Sequence, residues 1–271
     1  PPDFWLSRVI WPCMKIELNE ARRALRIALL YGLVCHGIFA LAGLAMLVGL
    51  FFGMSLGFGN VPWPWAFLTN ALLLLQFPLG HSFLLSDRGR PLLEKLAPKP
   101  HGKTLSTTVY ATIASIQLLL LFTLWTPSGI VWWRAEGAAL VAVSIAYLTS
   151  WILLTKASFD AGPEVQSGAL GWMSLARGKK VVFPDMPETG LFKYVRQPIY
   201  VSFALVLWTV AVWTPDQLIL AASYTAYCIF APRFKEQRFT KIYKDRFRAY
   251  QARVPYWIPR LGRGTKQPQR R

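Results

Sequence analysis

Apolar stretches alternate with shorter polar and basic segments along the whole chain. Two of the stretches are short, residues 198–213 and 217–231, and a turn-like segment with Pro215 separates them. The others are long enough to cross a hydrocarbon core of roughly 30 Å as single helices; they cover residues 27–52, 65–85, 109–125 and 137–155. The pattern predicts an all-α, polytopic membrane helix bundle of about six spans. The last two spans form a C-terminal helical hairpin, and its depth in the membrane stays open.

The distribution of basic residues orients the predicted bundle. Of the 30 Lys and Arg residues, only Arg134 falls in a predicted outward connection. The others precede the first span, lie in the loops 86–107 and 156–197, or lie from Arg233 onward. Because Lys and Arg collect on the cytoplasmic side of short loops, we expect both termini in the cytoplasm. The loop asymmetry favours a bacterial inner membrane.

Composition narrows the classes of partner. The chain carries a formal net charge of +17, and 54% of its residues are hydrophobic. Since the basic residues flank apolar spans, they predict contact with membrane lipids and their anionic headgroups, and no nucleic acid. The cysteines Cys13, Cys35 and Cys228 are far apart and lack CxxC spacing, so they predict neither a disulfide framework nor a metal site.

The same pattern divides the chain into four parts. Residues 1–26 mix apolar and charged positions, which suits an interfacial N-terminal arm on the inner leaflet or an arm that binds a partner. Residues 27–188 form a membrane bundle of four spans with cytoplasmic loops. Residues 189–260 hold the hairpin and an amphipathic tail. Residues 261–271 are predicted to be a disordered basic tail.

Candidate chemistry is densest at the two ends of the hairpin. The sequence holds no GxGxxG opening a helix, no GxxxxGK[ST] and no HExxH. A hairpin brings its two ends together, so we expect several polar side chains to converge at the cytoplasmic face. They are Arg196, Tyr200, Arg233, Glu236 and Arg238. Pro198 favours an extended backbone at Gln197, which places a break just before the hairpin.

These segments resemble the C-terminal signature of the isoprenylcysteine carboxyl methyltransferase superfamily. The signature pairs a Tyr-Val-Arg-His-Pro-x-Tyr segment, a hairpin, a Glu-Glu segment and a Tyr-rich tail. Here the corresponding residues are Tyr194-Val195-Arg196-Gln197-Pro198-Ile199-Tyr200, Phe234-Lys235-Glu236-Gln237-Arg238, and the tail 243–259. Weaker similarity at 80–82, 106–110 and 175–179 is typical of the branch that contains methanethiol S-methyltransferases.

The resemblance implies a multi-span membrane enzyme that binds S-adenosylmethionine and methylates a small thiol or another hydrophobic acceptor. It assigns cofactor binding to Tyr194, Gln197, Pro198, Tyr200 and Glu236. The same resemblance, with the need to ionise a thiol, assigns catalytic roles to Arg196, Arg233 and Glu236.

Two positions depart from the family pattern. Gln197 replaces the family His and does not titrate near neutral pH, and Lys235 replaces the first Glu of the Glu-Glu pair.

Other hypotheses stay open. Because of Gln197 and Lys235, the chain could be a catalytically lapsed methyltransferase-like protein that serves as a structural or assembly subunit with other membrane subunits. A membrane reductase of the sterol-reductase type is the third hypothesis, but no local sequence argues for its dinucleotide pocket. Arg196 and Arg233 also suit binding of headgroup phosphates.

Overall fold

The computed structural model describes residues 3–259, with side chains from residue 18 onward. Within this range the chain forms nine α-helices, one 3₁₀ helix and one two-stranded sheet. In chain order the elements are α1 (Asp3–Phe51), α2 (Trp65–Leu84), α3 (Arg90–Lys95), α4 (Gly102–Leu124), β1 (Trp133–Arg134), α5 (Gly137–Asp160), α6 (Pro163–Gln166), α7 (Ala169–Ala176), the 3₁₀ helix Gly190–Lys193, α8 (Pro198–Trp208), β2 (Val212–Trp213) and α9 (Pro215–Arg253).

Four helices are long and apolar enough to cross a membrane. They are the Leu18–Phe51 part of α1, and α2, α4 and α5. Each coincides with one of the four longer predicted spans, so the predicted helical membrane bundle is confirmed. The shorter apolar helix α8 and the first half of α9 form the hairpin, and its passage through the membrane stays a prediction.

The N-terminal arm and the first span share one helix. α1 runs without a break from Asp3 to Phe51, so the predicted boundary at residue 26 is no interruption of the backbone. The interfacial position of the arm stays a prediction. The predicted disordered tail, 261–271, lies outside the described residues.

One compact unit comprises Pro1–Gly49, Met54–Gly129 and Gly162–Phe183. Its apolar core includes Ala28, Leu93 and Leu105. Polar contacts also hold its helices: the side-chain amides of Gln76 and Gln117 each donate to the other residue's carbonyl, at 2.8 and 2.7 Å. Such interhelical hydrogen bonds satisfy polar groups that lipid cannot.

The second unit comprises Leu50–Gly53, Ile130–Ala161 and Pro184–Arg271. Here α8 packs against α5 and α9. β1 pairs antiparallel with β2, with Trp133 opposite Trp213. The sequence pattern predicts a loop at β1 and the end of a helix at β2, because a two-residue strand leaves no periodicity to detect. Thr214 caps α9 by accepting a hydrogen bond from the Gln217 amide at 2.9 Å, so the hairpin turn is well defined.

A kink at Lys244 turns the end of α9 back on itself. Lys244 has φ 46° and ψ −119°, outside the helical region. The side-chain amide of Gln251 nevertheless donates to Glu236 at 2.9 Å. On a straight helix those residues would lie about 22 Å apart along the axis. The segment after Lys244 therefore folds against the preceding part of α9.

Candidate functional site

The segment that enters α8 is held at its start by α5. The Asp160 carboxylate accepts a hydrogen bond from the Leu191 amide at 2.8 Å. Gly190 has φ +60°, and a Cβ there would overlap the Asp160 carboxylate. Only glycine therefore fits without displacing this contact. The 3₁₀ helix that follows leads into the segment from Tyr194 to Gln197.

Pro198 ends this segment as the sequence predicts. It lies in the first turn of α8, and Gln197 before it has non-helical backbone angles, φ −124° and ψ 52°. Proline at this position needs no amide hydrogen and disfavours a helical residue before it. At this break the side chains of Arg196 and Gln197 both reach α9, where they donate hydrogen bonds to Glu236.

Glu236 is the centre of a polar cluster. Its Oε1 accepts from Arg196 Nε at 2.9 Å and from Gln197 Nε2 at 2.8 Å. Its Oε2 accepts from Arg196 Nη2 at 3.3 Å and from Gln251 Nε2 at 2.9 Å. The side chains of Arg196 and Glu236 are 13% and 12% exposed. Four hydrogen bonds, two of them from the Arg196 guanidinium, thus compensate the largely buried carboxylate.

Arg196 also ties the end of the chain to this cluster. Its Nη1 donates to the carbonyls of Val254 at 2.7 Å and Gln251 at 3.1 Å. Its backbone amide donates to the Pro255 carbonyl at 2.9 Å, and its Cζ lies 5.5 Å from the centre of the Tyr256 ring. The guanidinium is therefore committed to protein groups, and it joins three segments that are distant in sequence.

A narrow cleft of about 10 Å³, room for about one water molecule, lies beside the cluster. Its wall includes Arg196, Gln197, Glu236 and Lys235, together with the aromatic rings of Phe192, Phe239, Phe247 and Tyr250. Gln197 is 2% exposed, and its Oε1 has no hydrogen-bond partner among the described residues. A buried acceptor without a partner loses free energy, so Gln197 Oε1 offers a binding position for a donor.

Lys235 places an amine at the wall of the cleft, beside the ion pair of Arg196 and Glu236. Its Nζ lies 5.3 Å from the centre of the Phe239 ring and 5.7 Å from that of Phe192. It makes no hydrogen bond or ion pair with another described residue. Burial lowers its pKa to about 8; Glu236 opposes this shift and Arg238 adds to it. Both protonation states of Lys235 are therefore populated near pH 8.

The loop 184–189 closes one side of the cleft through Met186 and Pro187. Exposed ion pairs hold it to the end of α9: Arg246 contacts Asp185 at 2.6 Å and Glu188 at 2.8 Å, and Arg253 contacts Glu188 at 3.1 Å. Hydrogen bonding from Arg246 lowers the pKa of Asp185. Water and salt weaken such exposed pairs, and the buried side chain of Met186, which clusters with Phe247 and Tyr250, also anchors the loop.

The far side of the cleft is an aromatic cluster created by the kink. Phe239 and Phe247 lie with ring centres 5.7 Å apart, although eight residues separate them. The Tyr250 hydroxyl donates to the Phe192 carbonyl at 2.7 Å. These contacts connect both parts of α9 to the 3₁₀ helix.

The structure brings some of the predicted site residues together. Arg196, Gln197 and Glu236 meet at the cleft. Tyr194 is 65% exposed, and Arg233 is also exposed, with its Cζ 5.0 Å from the centre of the Phe230 ring. Pro198 and Tyr200 lie in the first turn of α8, outside the cleft wall.

Arg233 therefore lies outside the wall of the cleft, which Arg196 and Glu236 line. No group of His, Cys, Asp and Glu suited to a metal occurs in the described part of the chain.

Sequence reasoning missed the aromatic wall and the position of Lys235 within it. The spacing of Lys235, Phe239, Tyr243 and Phe247 at four-residue intervals is a helical stripe that could have revealed one face of α9. Phe192 carries no comparable signal, because its place depends on the 3₁₀ helix.

Comparison with known proteins identifies relatives over most of the chain. No family model matches this chain, and no solved structure matches it. Methanethiol S-methyltransferase 1 of Bradyrhizobium diazoefficiens is 29% identical over 90% of this chain and 86% of its own length. Methanethiol S-methyltransferase of Crocosphaera subtropica is 26% identical over 87% of this chain and 92% of its own. Nurim of Rattus norvegicus is 25% identical over 61% of this chain and 64% of its own length.

The agreement between these relatives and the C-terminal motifs confirms the predicted resemblance. The chain is similar to methanethiol S-methyltransferases over most of its length, which is consistent with the methyltransferase-like branch that its motifs indicate.

Proposed function

We propose that this protein is an integral membrane methyltransferase that transfers the methyl group of S-adenosylmethionine to a small thiol such as methanethiol. The observation that carries the proposal is the meeting of Arg196, Gln197 and Glu236 at one cleft. These residues belong to the two motifs of the resemblance, and relatives named for thiol methylation match most of the chain.

The cleft has features that fit the cofactor. S-Adenosylmethionine, when bound, supplies a methyl group on a sulfonium that a nucleophile takes directly. The rings of Phe192 and Phe239 line the cleft, and the faces of aromatic rings attract a cation such as a sulfonium. Gln197 Oε1 accepts a hydrogen bond from an amino or hydroxyl group.

The volume of the cleft limits how much of the cofactor it encloses. About 10 Å³ is far below the roughly 300–1,000 Å³ of typical small-molecule sites. In this proposal the cleft therefore widens when the cofactor binds.

The predicted site residues take different roles in this proposal. Arg196 and Glu236 act as positioning residues, since their charged groups are engaged with each other and with the tail. Gln197 binds the cofactor. Tyr194, Pro198, Tyr200 and Arg233 stay candidates for contacts with parts of the cofactor or acceptor beyond the cleft.

We also propose a bacterial inner membrane as the location, with both termini in the cytoplasm. The basic residues of the connecting segments support this orientation. Matches to proteins from Bradyrhizobium, Crocosphaera and Mycobacterium support the bacterial setting. The same basic segments favour contact with anionic headgroups.

A non-catalytic assembly subunit is the second candidate function. The observation that favours it is the complete engagement of Arg196 and Glu236 with protein groups, which would equally stabilise a cleft that binds nothing. Such a subunit would remain with fixed partner proteins through detergent extraction.

The two candidates differ in cofactor binding. Calorimetry in detergent should detect binding of S-adenosylmethionine and its demethylated product, and gas chromatography should detect dimethyl sulfide formed from methanethiol. Gln197→Ala should weaken binding roughly tenfold, as expected for loss of one hydrogen bond. Gln237→Ala, at an exposed position, is the matched control. Folded protein that binds neither compound would contradict the enzyme proposal and favour the subunit.

A further inference from the structure

A thiol attacks a methyl group as its thiolate, so some group near the acceptor must take its proton. Glu236 is the carboxylate at the cleft, and its two oxygens already accept four hydrogen bonds. Arg196 stays protonated and cannot accept a proton. The Tyr250 hydroxyl is committed to the Phe192 carbonyl, and burial raises its pKa. These groups leave Lys235 as the remaining titratable side chain of the cleft wall.

The surroundings of Lys235 favour its neutral form. Its Nζ lies near the faces of Phe239 and Phe192, at 5.3 and 5.7 Å from the ring centres. Aromatic faces attract an ammonium but give it no hydrogen-bond acceptor. In the described residues Lys235 has no ion-pair partner, although Glu236 is its neighbour in sequence. Lys235 is partly buried, so an ammonium here gives up part of its hydration without full compensation.

Neighbouring charges act on Lys235 in opposite directions. Glu236 raises its pKa and Arg238 lowers it, while burial is the largest cause of the shift to about 8. Arg196 also lines the cleft, but Glu236 neutralises its charge. The amine is therefore available as a base at a pH where an ordinary lysine, with a pKa of about 10.4, is almost fully protonated.

We propose that Lys235 is the proton acceptor that ionises the thiol acceptor in this cleft. The inference rests on the proposed methyltransferase function. The neutral Nζ takes the thiol proton and becomes an ammonium. The thiolate sulfur then forms a bond to the methyl carbon as the bond between that carbon and the sulfonium sulfur breaks. A neutral thioether results, and Lys235 returns its proton to water when the products leave.

The first experiment measures the base itself and needs no turnover. Full-length protein in detergent is acetylated briefly with acetic anhydride at pH 6.5 to 10.5, and mass spectrometry follows each lysine. Lys235 should become reactive with a midpoint near pH 8, and the exposed Lys241 on the same helix is the internal control. Saturating demethylated cofactor should slow labelling of Lys235 and not of Lys241. A midpoint for Lys235 equal to that of Lys241 would overturn the proposal.

The second experiment separates a base from a fixed cation. In wild-type protein kcat/KM for methanethiol should rise with pH and level off above about 8. Lys235→Met should lower kcat/KM at pH 7 by roughly 10²-fold, as expected for loss of a general base. The defect should narrow at higher pH, where the thiol ionises unaided. Lys235→Arg should show the same loss, because arginine does not accept the proton.

The test has a control variant, and its two contradicting outcomes overturn different proposals. Lys241→Met should keep the wild-type profile, and every variant should bind the demethylated cofactor, which verifies the fold. Wild-type rates in Lys235→Arg would overturn the role as a base while leaving the methyltransferase proposal intact. Protein that binds no cofactor and methylates no thiol would overturn both.

Discussion

The contact between Arg196 and Glu236 offers a sharp test of how the site is held together. We consider Glu236→Gln, which preserves shape and removes the charge. The carboxylate accepts hydrogen bonds on both oxygens from Arg196, and each oxygen accepts one more, from Gln197 or Gln251. An amide has one acceptor oxygen, so in this variant the NH₂ group would replace the other oxygen and face the N–H donors that now bind it.

The expected magnitude follows from burial. Removing one partner of a buried ion pair costs about 3–5 kcal/mol, because the other charge is left uncompensated. Here the side chains are 13% and 12% exposed, which allows some hydration of Arg196. We expect the free energy of unfolding to fall by about 3 kcal/mol. At roughly 2–4 °C per kcal/mol for a chain of this size, Tm should fall by about 6–12 °C.

The assay is a double-mutant cycle with Arg196→Met, read by thermal denaturation in detergent and by unfolding in mixed micelles with sodium dodecyl sulfate. The double variant should be more stable than the sum of the single changes predicts, by at least about 1.5 kcal/mol. Arg248→Met, which breaks an exposed pair with Asp245, should cost less than about 0.5 kcal/mol. Additive effects at Arg196 and Glu236 would refute the reasoning.

Three further changes test the backbone and the buried charge. Lys244→Gly should raise Tm in detergent and add about 1 kcal/mol of stability, since glycine adopts φ 46° without strain; Lys244→Ala should not. Gly190→Ala should destabilise by about 1–3 kcal/mol, through its positive φ and overlap with Asp160, and proteolysis of the 3₁₀ helix should quicken. Wild-type stability should rise with pH between about 8 and 10.5, because unfolding lets Lys235 bind a proton there. Lys235→Met should lack this rise in thermal denaturation at a series of pH values.

Much of the fold was predictable because the responsible physics is local. An apolar stretch of about 20 residues must satisfy its backbone within itself when it enters lipid, so the helices α2, α4 and α5 follow from length and composition. The break at Gln197 is equally local, since Pro198 restricts the residue before it. The amino-acid order at these places leaves few alternatives.

The kink of α9 shows where local reasoning ends. Lys244 is neither glycine nor proline, so no residue type marks the bend. Packing maintains it, through the contact of Phe239 with Phe247 and the hydrogen bond from Gln251 to Glu236. Such contacts join residues that a straight helix would separate.

The sequence by itself therefore determined the membrane helices and the hairpin, and it placed Arg196, Gln197 and Glu236 near one another at the ends of that hairpin. Tertiary structure alone decided that Arg196 is engaged by Glu236 and the tail, that Arg233 lies against Phe230, and that Lys235 faces the cleft. The physical reason is that charge and hydropathy are properties of each residue, whereas burial and partners depend on which distant segments the fold brings together.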